Sequence, residues 1–148
     1  MQILVLNLGS TSFKFELFDL KSLASMQKGD FELDDINNIN KIFREMLRKI
    51  GDLEEIKYIG HRVVHGGEKY NNILKISPVK SKDHGAGKNN LAELEEINSL
   101  APLHNPFNLA GIRVSQEYLP DAVNYAVFDT ALYKDLPEHV KIYPINII

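Results

Sequence analysis

The sequence contains no cysteine and no tryptophan among its 148 residues. Without thiols there is no disulfide, no zinc–thiolate centre and no cysteine nucleophile. Excess positive charge is missing too. Against 20 Asp+Glu stand 17 Lys+Arg, a net charge of −3, where a nucleic-acid binder would show a strongly basic face. No stretch approaches the roughly 18 apolar residues of a membrane-spanning helix. The opening run, Met1 to Asn7, has neither the basic n-region nor the length of a signal peptide. The expectation is a soluble, cytoplasmic chain with no nucleic-acid or membrane partner. What is present suits one domain: 44% of residues are hydrophobic, and a chain of this size buries roughly 68–70% of its unfolded surface without a staple.

Ile3 to Leu6 is a short apolar run, as in a strand covered on both faces. Leu8 to Ser12 is small and polar and reads as a turn. Phe13, Phe15 and Leu17 then alternate with Lys14 and Glu16, so a hairpin is expected. Residues 21–33 continue as a third strand ending near Phe31 or Leu33. Ile36, Ile39, Ile42, Phe43, Met46, Leu47 and Ile50 recur at the three-four spacing of one helical face. Asp34 or Asp35 would cap that helix and Gly51 would stop it. Lys57–His65 reads as a strand closed by Gly66 and Gly67. Residues 77–90 read as a loop, Leu91–Leu100 as a short helix, and Asn105-Pro106 as an N-cap and first turn. Ala122–Phe128 is a final apolar strand. This order implies an α/β domain: a mixed β-sheet flanked by helices.

Five segments could carry chemistry. Asn7-Leu8-Gly9-Ser10-Thr11-Ser12-Phe13-Lys14 joins a strand end to hydroxyls and an ammonium, enough to wrap an anion; the alternative is an ordinary hairpin turn. Gly85-Ala86-Gly87-Lys88 resembles the tail of a phosphate loop, but Lys82 and Asn89 stand where Gly and Ser or Thr are required. His61 and His65 are four apart, which on a strand separates them by about 13 Å and argues against a metal. Arg62, near the end of an apolar strand, needs a partner: a structural ion pair, or a bound carboxylate or phosphate. His104 precedes a helix N-terminus, where free amides attract anions; it could face one or simply pack. Asp129 follows a buried strand at the end where α/β proteins place ligands. It could hold Mg²⁺ or align a nucleophile, or cap the next turn.

Taken together, N-x-G-S-x-S-x-K at 7–14, H-R-V-V-H-G-G-E at 61–68, A-P-L-H-N-P at 101–106 and F-D-T-A at 128–131 resemble the amino-terminal domain of the acetate kinase (acetokinase) family. That family shares its fold with sugar kinases, actin and heat-shock chaperone ATPases. The resemblance implies that residues 1–148 are the N-terminal acetokinase domain, and that a second domain, absent from this chain, closes the other side of a cleft. It implies reversible phosphoryl transfer between ATP and acetate, with ADP and acetyl phosphate as products, Mg²⁺ as cofactor, and a homodimer for the full-length enzyme. Asn7 would lie at the metal end. Ser10, Ser12 and Lys14 would line the nucleotide phosphates. Arg62 would hold the substrate carboxylate, and Val64 and Leu103 would wall the methyl pocket. His104 would donate to the transferring phosphoryl group, and Asp129 would be the acidic residue taken to be catalytic. As a fragment the chain would be inactive or nearly so. A propionate or butyrate kinase domain is the alternative enzyme; a non-catalytic module binding acyl phosphate or nucleotide is the alternative outside catalysis. The segment between Asp19 and Lys57 is shorter than the resemblance implies, and the basic loop at 77–90 is unaccounted for.

Overall fold

A computed structural model describes residues 1–78, 90–133, 135 and 137. The expected loop at 77–90, with the phosphate-loop mimic at 85–88, lies largely outside the described residues.

Six strands form one mixed sheet: β1 (Gln2–Leu8), β2 (Ser12–Asp19), β3 (Ser25–Glu32), β4 (Ile56–Val63), β5 (Leu74–Lys75) and β6 (Val123–Phe128). Their spatial order is β3-β2-β1-β4-β6-β5. The hairpin pairs β1 with β2 antiparallel, from Gln2 opposite Asp19 to Leu8 opposite Phe13. The centre is parallel, with β1 beside β4 and β4 beside β6. β3 and the two-residue β5 close the edges in antiparallel pairings.

The α-helices are α1 (Ile39–Ile50), α2 (Asn90–Glu96) and α3 (Asn105–Tyr118). The stripe read from the sequence is the buried side of α1: Ile39, Ile42, Phe43, Met46 and Leu47. The helix starts later than the stripe suggests. Asp35 accepts from the Asn37 amide and caps a 3₁₀ turn at Ile36–Asn38, and the α-helix follows it. Gly51, at φ 82°, ends it with an N–H bonded to the Leu47 carbonyl, a left-handed position that favours glycine.

These helices pack on one face of the sheet. Leu4, Leu6, Phe13, Phe15 and Ile59 meet α1, and Val63, Ala126 and Phe128 meet α2 and α3. Alternate strand residues face away, among them Val5, Asn7, Lys14, Arg62 and Val127. Helix α3 is pressed close to β1: a Cβ on Gly111 would lie 2.8 Å from Leu8 Cδ2. Its N-terminus therefore sits at the carboxyl ends of β1 and β4. No helix among the described residues is long and apolar enough to cross a membrane.

Candidate active site

Three parallel strands and one helix start converge here. β1 delivers Asn7 and the Gly9–Thr11 turn. β4 delivers Arg62 and then Val64, β6 delivers Asp129 one residue past its end, and α3 brings His104. Together Asn7, Ser10, Arg62, Val64, His104 and Asp129 line a pocket of about 270 Å³, joined by Leu8, Gly9, Thr11 and Asn108. That volume lies below the roughly 300–1,000 Å³ that encloses a drug-sized ligand.

The electrostatic centre is the ion pair of Arg62 with Asp129. Arg62 Nε donates to Asp129 Oδ1 at 2.9 Å, and Nη2 donates to Oδ2 at 2.7 Å. Such a fork is the bidentate geometry that guanidinium and carboxylate share. The Asp129 carboxylate holds the Arg62 pKa above its usual value, so the arginine is cationic throughout. Its Nη1 donates a longer bond, 3.4 Å, to Asn7 Oδ1. Among the two sequence alternatives for Arg62, the structure contains the ion pair, on a half-exposed side chain.

His104 occupies the N-cap of α3, without a side-chain capping bond. The sequence reading gave that position to Asn105, which instead lies in the first turn with its side chain fully buried. It reaches across to the His65 backbone. The exposed His104 is therefore left at a helix N-terminus, at the positive end of the dipole, although its own amide and that of Asn105 are already bonded to the Ala101 carbonyl and Pro106 has no N–H.

Three expected site residues fall outside this lining. Leu103 is 71% exposed and is not among the residues lining this pocket. Ser12 begins β2, where its carbonyl accepts from Gly9 N at 2.8 Å and closes the turn. Lys14 projects from the outward face, opposite Asn7 in the hairpin register, and pairs with Asp30 at 3.4 Å. The site residue that sequence reading missed is Asn108. It is a polar residue on the buried face of a helix, one position from Leu109, and that misplacement in the apolar stripe was the available signal.

Beneath the site, His61 is sealed in the core. Its Nε2 lies 2.7 Å from Asn124 Oδ1 and 3.2 Å from Ser115 Oγ. Burial pushes its pKa down to about 4, against the opposing hydrogen bond from Asn124. Asn124 Nδ2 donates to the Ala122 carbonyl, so Oδ1 is the acceptor and the imidazole proton sits on Nε2. Among the described residues no cluster of three or more His, Cys, Asp or Glu side chains could hold a metal.

The model of the acetokinase family matches residues 25–147. The chain belongs to the acetokinase family. The acetate kinase of Halothermothrix orenii is 34% identical, over 97% of this chain and 41% of its own. That of Bacillus subtilis is 35% identical, over 96% and 40%. The first alignment runs to 172 positions, more than the 148 residues here, so the relative carries residues this chain lacks. Among solved structures, Porphyromonas gingivalis acetate kinase superposes with a TM-score of 0.72 at 32% identity, over 98% of this chain and 41% of that one. A propionate kinase from Francisella tularensis subsp. tularensis SCHU S4 gives 0.73 at 30% identity, over 99% and 41%. The acetokinase chain described here thus spans about 40% of the length of the curated relatives it matches.

Proposed function

We propose that this chain is the amino-terminal domain of an acetate kinase, which moves the terminal phosphoryl group of ATP onto acetate, reversibly. One observation carries the reading. Residues as distant in sequence as Asn7, Arg62, His104 and Asp129 line a single small pocket at the carboxyl ends of the parallel strands. The relatives named acetate kinase then supply the reaction.

An acetate oxygen attacks the terminal phosphorus, the bond to the ADP oxygen breaks, and acetyl phosphate leaves. A carboxylate is already ionised at neutral pH, so the protein must align and stabilise rather than abstract a proton. The Nη1 edge of Arg62, held only by the long bond to Asn7 among the described residues, receives the acetate carboxylate, while Asp129 anchors the opposite edge of the same guanidinium. Val64 contributes the apolar side for the methyl group. Leu103, exposed on this chain, completes that wall when substrate and the rest of the protein cover it. His104 donates to the phosphoryl oxygens as charge develops, helped by the α3 N-terminus. Ser10, Ser12 and Lys14 form the hairpin edge along which the nucleotide phosphates lie, and the weakly paired Lys14 is able to leave Asp30.

The oxygen donors of Asn7 and Asp129 fit Mg²⁺, which takes hard oxygen ligands and keeps most of its shell from water and phosphate. When bound, the ion neutralises and orients the phosphate oxygens. The same reading places the protein in the cytoplasm as a homodimer that binds no nucleic acid, in keeping with its net charge of −3.

A second reading, propionate as acceptor, rests on the similar superposition on a propionate kinase. One methylene in an apolar pocket is worth only about 1–3 kcal/mol. Initial rates of the complete enzyme with acetate, propionate and butyrate test both: the highest kcat/KM is expected with acetate. No turnover of any of the three, with acetyl phosphate still bound, would establish the non-catalytic module instead. The 148-residue chain by itself is expected to be inactive.

A further inference from the structure

We propose that Asn105 and Asn108 are positioning residues of this site: their carboxamides clamp the ends of β1 and β4 to the start of α3, fixing Asn7 and Arg62 relative to His104. The inference rests on the functional reading above, because it assigns a catalytic consequence to the clamp.

The two asparagines are 0% and 3% exposed, one helical turn apart on α3. Asn108 spans two strands with one group. Its Nδ2 donates to the Leu8 carbonyl at the end of β1, and its Oδ1 accepts from Val64 N at 3.1 Å, just past β4. Asn105 acts as a substitute strand partner for His65: its Oδ1 accepts from His65 N at 3.1 Å and its Nδ2 donates to His65 O at 3.0 Å.

These backbone groups lie where the ladders have ended. The β1–β4 pairing stops at Leu6 and His61, and the β4–β6 pairing at Val63 and Phe128. Buried amides and carbonyls at such an edge need partners from elsewhere. A carboxamide offers a donor and an acceptor on separate atoms of one short, planar group. A carboxylate would lose the donor, and an apolar residue would lose both.

The clamped backbone groups are at the pocket: Leu8 and Val64 line it themselves, His65 follows Val64, and the clamping Asn105 follows His104. The close contact of Gly111 with Leu8 one turn later keeps the helix axis against β1, so the carboxamides set the remaining freedom, the position of the helix start. A displacement of about 1 Å in such a geometry is enough to lower turnover by about a hundredfold.

The test uses Asn108→Leu, which keeps the side-chain volume, and Asn108→Asp, which keeps the acceptor for Val64. In the 148-residue chain, amide exchange at Val64 is expected to rise at least about tenfold in the leucine variant and much less in the aspartate variant. Core amides of Leu4 and Ile59 should stay protected in both. Unchanged protection at Val64, or loss spread evenly over the sheet, would overturn the clamp. In the complete enzyme, Asn108→Leu is expected to lower kcat per folded molecule about a hundredfold, with KM for ATP changed little. Combined with His104→Ala it should lower kcat little further, because both act through the same group. Normal kcat, or two effects that multiply independently, would overturn the positioning role. Wild-type enzyme that phosphorylates neither acetate nor propionate would overturn the functional reading instead, while the exchange measurements still decide the clamp.

Discussion

Two neighbours on β4, His61 and Arg62, are separated by one peptide bond and by the whole thickness of the sheet. Arg62 faces outward, half exposed, and shares its charge with Asp129 at the pocket. His61 faces the helices at 2% exposure, among Asn124 and Ser115. Strand alternation alone puts them in opposite environments. The difference shows where this domain places charge. On the outward face a permanent cation is held by a carboxylate yet left with a usable edge. On the inner face the polar group is kept neutral, because an ion there would lose its hydration without a counterion. Under the proposed reading the first neighbour serves turnover and the second serves the fold.

The sharpest way to break that comparison is at the pocket. Asp129→Ala removes the partner that orients Arg62. In the complete enzyme it is expected to raise the barrier by about 2.7–4 kcal/mol, the usual effect of losing one group that stabilises developing charge. His104→Ala should fall in the same range. Initial-rate assays with saturating ATP check both, and near-normal turnover would remove the residue concerned from its proposed role.

The inner face is broken by acid. The unfolded imidazole binds its proton near the ordinary pKa of 6.5 and the native one only near about 4. Between these values the unfolded state holds more protons, so stability rises with pH. Lowering the pH from about 6.5 to 4 is expected to remove about 3 kcal/mol, at about 1.36 kcal/mol per unit. Urea melts of wild type and His61→Leu at pH 7 and pH 4.5 isolate this share, which the leucine variant lacks. Equal acid sensitivity in both proteins would show that His61 carries its charge in the fold.

The smallest effect is at the rim. Lys14 and Asp30 are both more than half exposed, and exposed pairs of this kind contribute about 0–1 kcal/mol. Lys14→Met should leave the melting temperature nearly unchanged while raising KM for ATP. A fall in stability without any change in KM would make Lys14 a hairpin residue and nothing more.

Local pattern was the legible part of the fold. The α1 stripe, the 7–14 hairpin and the strand ending at Phe128 each declare themselves within a few residues, since periodicity is a property of neighbours. The edge strand β5 was not read, because two residues carry no period and its pairing with β6 is set by tertiary contact. At the site, Asn7, Arg62, His104 and Asp129 stood out as residue types at strand and helix ends, while their meeting followed only from the family resemblance. Arg62 and Asp129 are 67 residues apart, and nothing in either segment specifies the other. Asn108 was missed for the same reason: its partners lie 100 and 44 positions away. Asn105 was misread because Asn before Pro is a strong capping signal, and a tertiary bond to His65 outbid it.

The comparison is tested most directly by measuring melting temperature and turnover together in the complete enzyme for Arg62→Ala and His61→Leu. Arg62→Ala is expected to lose about 10²–10³-fold in kcat with a melting temperature close to wild type. His61→Leu removes one hydrogen bond to Asn124 Oδ1, which keeps the Ser115 hydroxyl as a partner. The loss is about 0.5–1.5 kcal/mol, and the variant should melt lower with near-normal kcat per folded molecule. The opposite assignment, an unstable Arg62→Ala that still turns over and a stable His61→Leu that does not, would contradict the division between the two faces.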